Sequence, residues 1–204
     1  MSDADPDDRL NDFLTIVLER FEMSNYIRPR IDGATVFFTV ALAHRGSRLL
    51  IDEVDRLRNA VRVTMAERPF QIDAWVVLPD HIHAVWTLPE GDSQYSVRWG
   101  AIKARFVRDL RRAGFSPPIG LPVVQSGRYA GLKPALRKSK RESGLWQRRF
   151  WERHVRNAEE FAACVRYCHD NPVKHGFVAD PKDWPWSSMH HERRFHPADV
   201  WRVG

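Results

Sequence analysis

Strand-like and helix-like periodicities alternate along this chain in an order that few compact folds can satisfy. Residues 34–40, after Pro29 and Gly33, are β-branched and aromatic and read as a strand. Val54, Leu57, Val61 and Met65 then recur at helical spacing as far as Pro69. Two further strands, 72–77 and 83–88, flank a turn at Leu78-Pro79-Asp80. A second amphipathic helix over 97–113 presents Trp99, Ile102, Phe106 and Leu110 on one side, with Lys103, Arg105, Arg108 and Arg112 outside. Residues 146–155 read as a strand and 158–170 as a helix, closed at Asn171-Pro172 because a residue before proline disfavours helical angles. The order β, α, β, β, α, loop, β, α predicts an α+β, ferredoxin-like sandwich, one antiparallel sheet with helices on one face.

Around that domain, placed at 25–178, stand an acidic extension at 1–24 and a C-terminal tail at 179–204. Leu10, Phe13, Leu14, Val17, Leu18 and Phe21 give the extension a short amphipathic helix. A loop at 114–143, rich in Gly, Pro, Ser, Lys and Arg, interrupts the domain and is long enough to suggest a function. No apolar run approaches a membrane span, and MSDADPDDRLND carries five aspartates where a signal peptide needs positive charge, so a cytoplasmic protein is expected. Cys164 and Cys168, four apart on a helix, suit neither a disulfide nor a CxxC knuckle and read as small buried residues.

Charge is the sharpest compositional signal. Residues 98–156 hold 16 of the 32 Lys and Arg against only Asp109, Glu142 and Glu152, a net +13, while the rest of the chain is −7. Solvated surfaces usually mix signs, so a block this one-sided points to a polyanion, although a basic solubilising loop would look the same.

Two motifs carry chemistry. In Pro79-Asp80-His81-Ile82-His83-Ala84-Val85-Trp86, strand alternation puts His81 and His83 on one face, where they can grip one divalent ion, and turns Ile82 into the core. By itself such a pair fits hydrogen-bonded surface histidines equally well. In the second motif, Tyr167 and Asn171 are neighbours on one helix face. A tyrosine serves as covalent nucleophile when its phenolate is stabilised, and the Asn171 amide oxygen is a potential third metal donor. An isolated tyrosine at this position would be read as core.

DHIHAVW together with YCHDNPVKHGFV resembles the single-tyrosine HUH transposases, in the branch associated with repetitive extragenic palindromes (REP). The likeness runs from about Asn25 to Ser188 and includes Phe37-Phe38-Thr39-Val40, Trp86-Thr87-Leu88-Pro89-Glu90-Gly91-Asp92, Ile102-Lys103, Trp146-Gln147-Arg148-Arg149-Phe150-Trp151-Glu152 and Asp183-Trp184-Pro185-Trp186-Ser187-Ser188. The extension at 1–24 and Arg153 depart from the pattern. The resemblance implies a ferredoxin-like nuclease that cuts and rejoins single-stranded DNA next to hairpins. His81 and His83 would be the histidine pair holding Mg²⁺ or Mn²⁺, with Asn171 as third ligand, and Tyr167 would form a 5′-phosphotyrosine. The DNA contacts then expected are Lys103, Arg105, Arg148, Arg149 and Lys174 on phosphates, and Trp146, Phe150 and Trp151 against bases, with at least one of these three rings buried instead. Other classes also fit parts of the sequence. They are a hairpin-binding regulator that no longer cuts, a metallohydrolase using the histidines with Asp80 or His154, and an RNA-binding module on the same fold.

Overall fold

The computed structural model describes residues 30–115 and 144–190. The expected N-terminal helix, nearly all of the basic loop and His191 and His196 lie outside the described residues. In chain order the elements are strand β1 (Thr35–Ala41), helices α1 (Leu49–Asp52) and α2 (Val54–Glu67), strands β2 (Gln71–Val77) and β3 (His81–Thr87), helix α3 (Tyr95–Arg112), strand β4 (Trp151–His154) and helix α4 (Ala158–Lys174). Two 3₁₀ turns, Pro181–Asp183 and Ser188–His190, follow. The strands pair in the order β2-β3-β1-β4, every pair antiparallel, which is the ferredoxin-like sheet the periodicities call for.

Strand alternation gives this sheet two different faces. On one, Phe38 meets Trp86, Tyr95, Trp99 and Phe150, and Trp75, Trp86 and Trp99 stack nearly parallel beneath α3. Leu57, Ala60, Val61 and Met65 of α2 complete that core. The intervening residues Phe37, His81 and His83 point the other way, where α4 lies across the sheet. Because both faces are covered, β1 and β3 are buried almost throughout instead of at every second residue.

Helix α4 is fixed at its start by Asn157, whose side-chain oxygen accepts from the Glu160 amide at 2.8 Å. The buried Glu160 carboxylate in turn accepts from the Arg156 amide and pairs with the Arg153 and Arg156 guanidinium groups. Burial raises the pKa of Glu160, but these donors outweigh it and hold the carboxyl below its ordinary value. Arg153 belongs to β4, so the pair ties the helix to the sheet edge. Asn157→Ala is expected to cost about 1 kcal/mol of unfolding free energy, read as a lower denaturant midpoint with an unchanged slope.

Three details differ from the sequence reading. Helix α1 has no counterpart in it, four residues being too few for a periodic signal. The strand expected over 146–155 is reduced to Trp151–His154. Residues 145–147 do pair with the end of β1, through Ala43 N–H to the Leu145 carbonyl and Gln147 N–H to the Ala41 carbonyl. The chain then bulges outward at the exposed Arg148 and Arg149 so that both Trp146 and Phe150 reach the core.

The third difference is that α4 does not close at Asn171-Pro172 but runs through Pro172 to Lys174. Proline removes only its own N–H from the ladder, and its carbonyl is used: Phe177 N–H donates to it at 2.9 Å while Gly176 N–H donates to Val173 at 2.9 Å. This is a Schellman closure, made possible by Gly176 at φ 69°.

The tryptophan-rich tail is packing, and it covers the open edge of β2. Val77 N–H donates to the Trp186 carbonyl, Trp75 N–H to the Ser188 hydroxyl, and the Trp184 indole to the Val77 carbonyl. Among the described residues no helix is long and apolar enough to cross a membrane.

Candidate active site

The site lies between the outer face of β3 and helix α4. His81 and His83, two apart on one strand, project together with ring centroids 5.0 Å apart. Each is held from behind. His81 Nδ1–H donates to Asp80 Oδ1 at 2.6 Å, and His83 Nδ1 shares a 2.9 Å hydrogen bond with the Thr39 hydroxyl. Thr39 can reach because antiparallel register sets it directly opposite His83. With each Nδ1 engaged by an outer partner, Nε2 is the ring nitrogen left to meet an ion, the arrangement that outer partners impose on metal-binding imidazoles.

Burial pushes the His83 pKa well below its usual value, and nearby His81, His175, Arg45 and Lys174 add to the fall. The ring is therefore neutral at ordinary pH. Asp80 behaves oppositely. Burial raises its pKa, but the bond to His81, the Gly46 amide and the charges of His81 and Arg45 outweigh this and bring it down to about 2. A permanent carboxylate thus backs His81.

Tyr167 faces this pair from α4. Its ring lies 5.1 Å from that of His83 and 5.6 Å from that of Phe37, both edge-on. The side chain is buried, which raises the phenol pKa to about 12, against an opposing hydrogen bond from Asn171. Asn171 stands one turn on, 1 % exposed. Its amide nitrogen serves Tyr167 while its Oδ1, fully buried, has no hydrogen-bond partner. An unmatched buried carbonyl oxygen costs about 1–3 kcal/mol, so a cation beside it has a physical reason to be there. Two imidazoles and one amide oxygen suit a divalent ion that keeps open positions for phosphate oxygens and water, and do not suit a closed structural zinc centre. No group of three His, Cys, Asp or Glu side chains that could hold an ion occurs among the described residues.

The helix continuation past Pro172 brings two more groups to the rim. Lys174 Nζ lies 4.6 Å from the centre of the Tyr167 ring, and the exposed His175 ring lies 5.1 Å from His81. Sequence reading assigns Thr39 and His175 no role. Only the strand register reveals the first, and only the extra turn of helix reveals the second.

The other sequence candidates are spread out. Lys103 donates to the Gln147 carbonyl at 3.1 Å and sits over the rings of Trp146 and Phe150. Arg105 bonds the Thr64 hydroxyl at 2.9 Å and pairs with Glu67, so it clamps α3 to α2 instead of standing outside. Trp146 is buried against Phe106, and Trp151 is half-buried against Phe37. Arg148 and Arg149 are exposed. Arg98, in the same basic segment, is buried and forked onto Asp92, so part of the local positive charge is internal to the fold. His154 cannot join the histidine pair: alternation along β4 turns it to the opposite face, where its ring meets Tyr95. Asp80 is engaged behind His81, which it orients. A metallohydrolase that needs either residue as a further ligand therefore finds neither in place.

No family model matches the chain. Individual proteins do. The chain is 40% identical over 179 residues to the REP-associated tyrosine transposase of Escherichia coli strain K12, covering 87% of this chain and 90% of that one. It is 38% identical over 170 residues to a Haemophilus influenzae protein of the same family name, covering 83% and 88%. Among solved structures it resembles that of a REP-associated tyrosine transposase bound to a REP hairpin, with 37% identity, a TM-score of 0.66 and coverage of 89% and 93%. At this identity and near-complete coverage, with a tyrosine helix laid over a histidine pair, the chain belongs to the REP-associated tyrosine transposase family.

Proposed function

We propose that this chain cuts and rejoins single-stranded DNA beside REP-type hairpins, with Tyr167 as nucleophile and His81, His83 and Asn171 as the ligands of Mg²⁺ or Mn²⁺. The observation that carries the reading is the placement of the Tyr167 ring against His83, with the buried, unpartnered Asn171 oxygen one helical turn on from Tyr167. A divalent ion held there would polarise the scissile phosphate and offset the charge growing on its oxygens.

The protein groups then have separate tasks. Tyr167 Oη attacks phosphorus, the P–O bond to the 3′-oxygen breaks, and a 5′-phosphotyrosine and a 3′-hydroxyl result. One proton leaves the phenol and one is gained by the departing 3′-oxygen, so the step is neutral overall and reversible by another 3′-hydroxyl. Lys174, poised over the ring, lowers the energy of the phenolate as it forms. Asn171 holds the hydroxyl by its amide nitrogen. Thr39 and Asp80 keep the imidazoles in one tautomer and one orientation.

The test is a denaturing gel of a labelled REP hairpin with a single-stranded extension, incubated with protein and Mg²⁺ or Mn²⁺. A protein-linked labelled species resistant to denaturant is expected. With the phenol pKa near 12, its formation rate should rise about tenfold per pH unit between pH 7 and 9 when chemistry limits, since the phenolate fraction grows at that rate. Absence of the species with either metal across that range leaves the regulator, which binds hairpins without cutting.

A further inference from the structure

A row of aromatic rings leads away from the histidine pair across the surface. His81 touches His175 at 5.1 Å; His175 lies 5.7 Å from Phe177 at 21° between planes; Phe177 lies 5.2 Å from Trp184 at 20°. Rings this nearly parallel, with centroids more than 5 Å apart, are offset like steps, and each leaves part of a face open. Trp184 is buried and anchored to β2 through its indole, so the row has a rigid base. Phe177, by contrast, is 43% exposed, one of only three exposed large hydrophobics among the described residues.

Its position is dictated by backbone and not by core packing. Gly176, in the left-handed region, turns the chain at the end of α4, and the Phe177 amide locks onto the Pro172 carbonyl. A closure of this kind usually tucks an apolar residue inward against the helix. Here the side chain stands outside, between an active-site-adjacent imidazole and a fixed indole. Arg45 and Lys174, both exposed, flank the histidine end of the row and supply the positive charge that a phosphate backbone needs.

We propose that His175 and Phe177 form a stacking ledge for an unpaired base of the DNA single strand next to the scissile phosphate. The ledge rests on the strand-cutting function and adds a subsite to it. An unstacked base presents an apolar face that a flat exposed ring covers without reading sequence, whereas a paired hairpin stem offers no such face. The ledge thus distinguishes the single-stranded extension from the stem and sets the strand in register with Tyr167.

Affinity for two oligonucleotides tests this, a REP hairpin with its single-stranded extension and the same hairpin without it, using protein bearing Tyr167→Phe so that no cutting intervenes. Phe177→Leu keeps an apolar side chain against Trp184 but removes the ring. It should weaken binding of the extended hairpin about tenfold and leave the blunt hairpin as it was, and Phe177→Trp should restore the loss. Equal weakening on both oligonucleotides, or no weakening on either, overturns the ledge while the parent function stands. A protein with Phe177 intact that binds neither oligonucleotide removes the parent function, and the ledge with it.

Discussion

Tyr167→Phe should abolish the covalent DNA adduct completely while leaving hairpin affinity within about twofold. The substitution deletes one oxygen and keeps the ring that packs edge-on against Phe37 and His83, so the α4–sheet interface is preserved. What it removes is the group that would become bonded to phosphorus, for which no other side chain among the described residues is placed. The nearby thiols are not substitutes: Cys168 is fully buried with its pKa pushed well up, and burial likewise raises Cys164 to about 12. The denaturing gel reads the adduct, and a filter or fluorescence titration reads affinity. An adduct persisting in Tyr167→Phe would place the nucleophile elsewhere, and a metal-dependent cut without any adduct would favour hydrolysis by an activated water.

The second large effect concerns Asn171. Asn171→Leu, close in volume, replaces an unmatched buried carbonyl with an apolar group, so the metal-free protein should be no less stable than the parent despite the lost bond to the Tyr167 hydroxyl. The same change removes one of three proposed ligands. Mn²⁺ should therefore raise the melting temperature of the parent, by the equivalent of about 2.7 kcal/mol at a hundred times its dissociation constant, and raise that of Asn171→Leu far less. Adduct formation should fall at least a hundredfold. A variant that melts lower without metal, yet gains as much from Mn²⁺ as the parent, would make Asn171 a structural residue and leave the ion to the histidines. Thermal scans with and without Mn²⁺ separate the two outcomes.

Much of this arrangement is legible in local pattern. The β-branched runs and the 3.6-residue repeats locate the strands and long helices, because each has one period and enough length to display it. Strand alternation sets His81 and His83 on one face and helical spacing sets Tyr167 beside Asn171, but their roles are legible only through the family resemblance, since each motif alone fits ordinary surface or core residues. What local pattern does not carry is pairing. Thr39 becomes the partner of His83 only when β1 and β3 are set in register. The +13 segment reads as a surface, yet Arg98 and Arg105 are engaged by Asp92 and Glu67 of the same domain, which depends on how α3 meets its neighbours. Pro172 misleads for a related reason. The local penalty at Asn171 is real, but the Schellman closure behind it and the packing of α4 on the sheet outweigh it. Without that extra turn, Lys174 would not stand over Tyr167 nor His175 beside His81.

The depth of Tyr167, only 6% exposed, would govern how a strand cut by it can be released. An ester formed on its oxygen would be walled by Phe37, His83 and Asn171, with little room for bulk solvent to attack the phosphorus. Hydrolysis would waste the bond and leave a broken strand. A sheltered linkage instead waits for an alcohol delivered by DNA already seated in the cleft, which makes joining the favoured exit and ties the fate of the broken end to which second strand arrives.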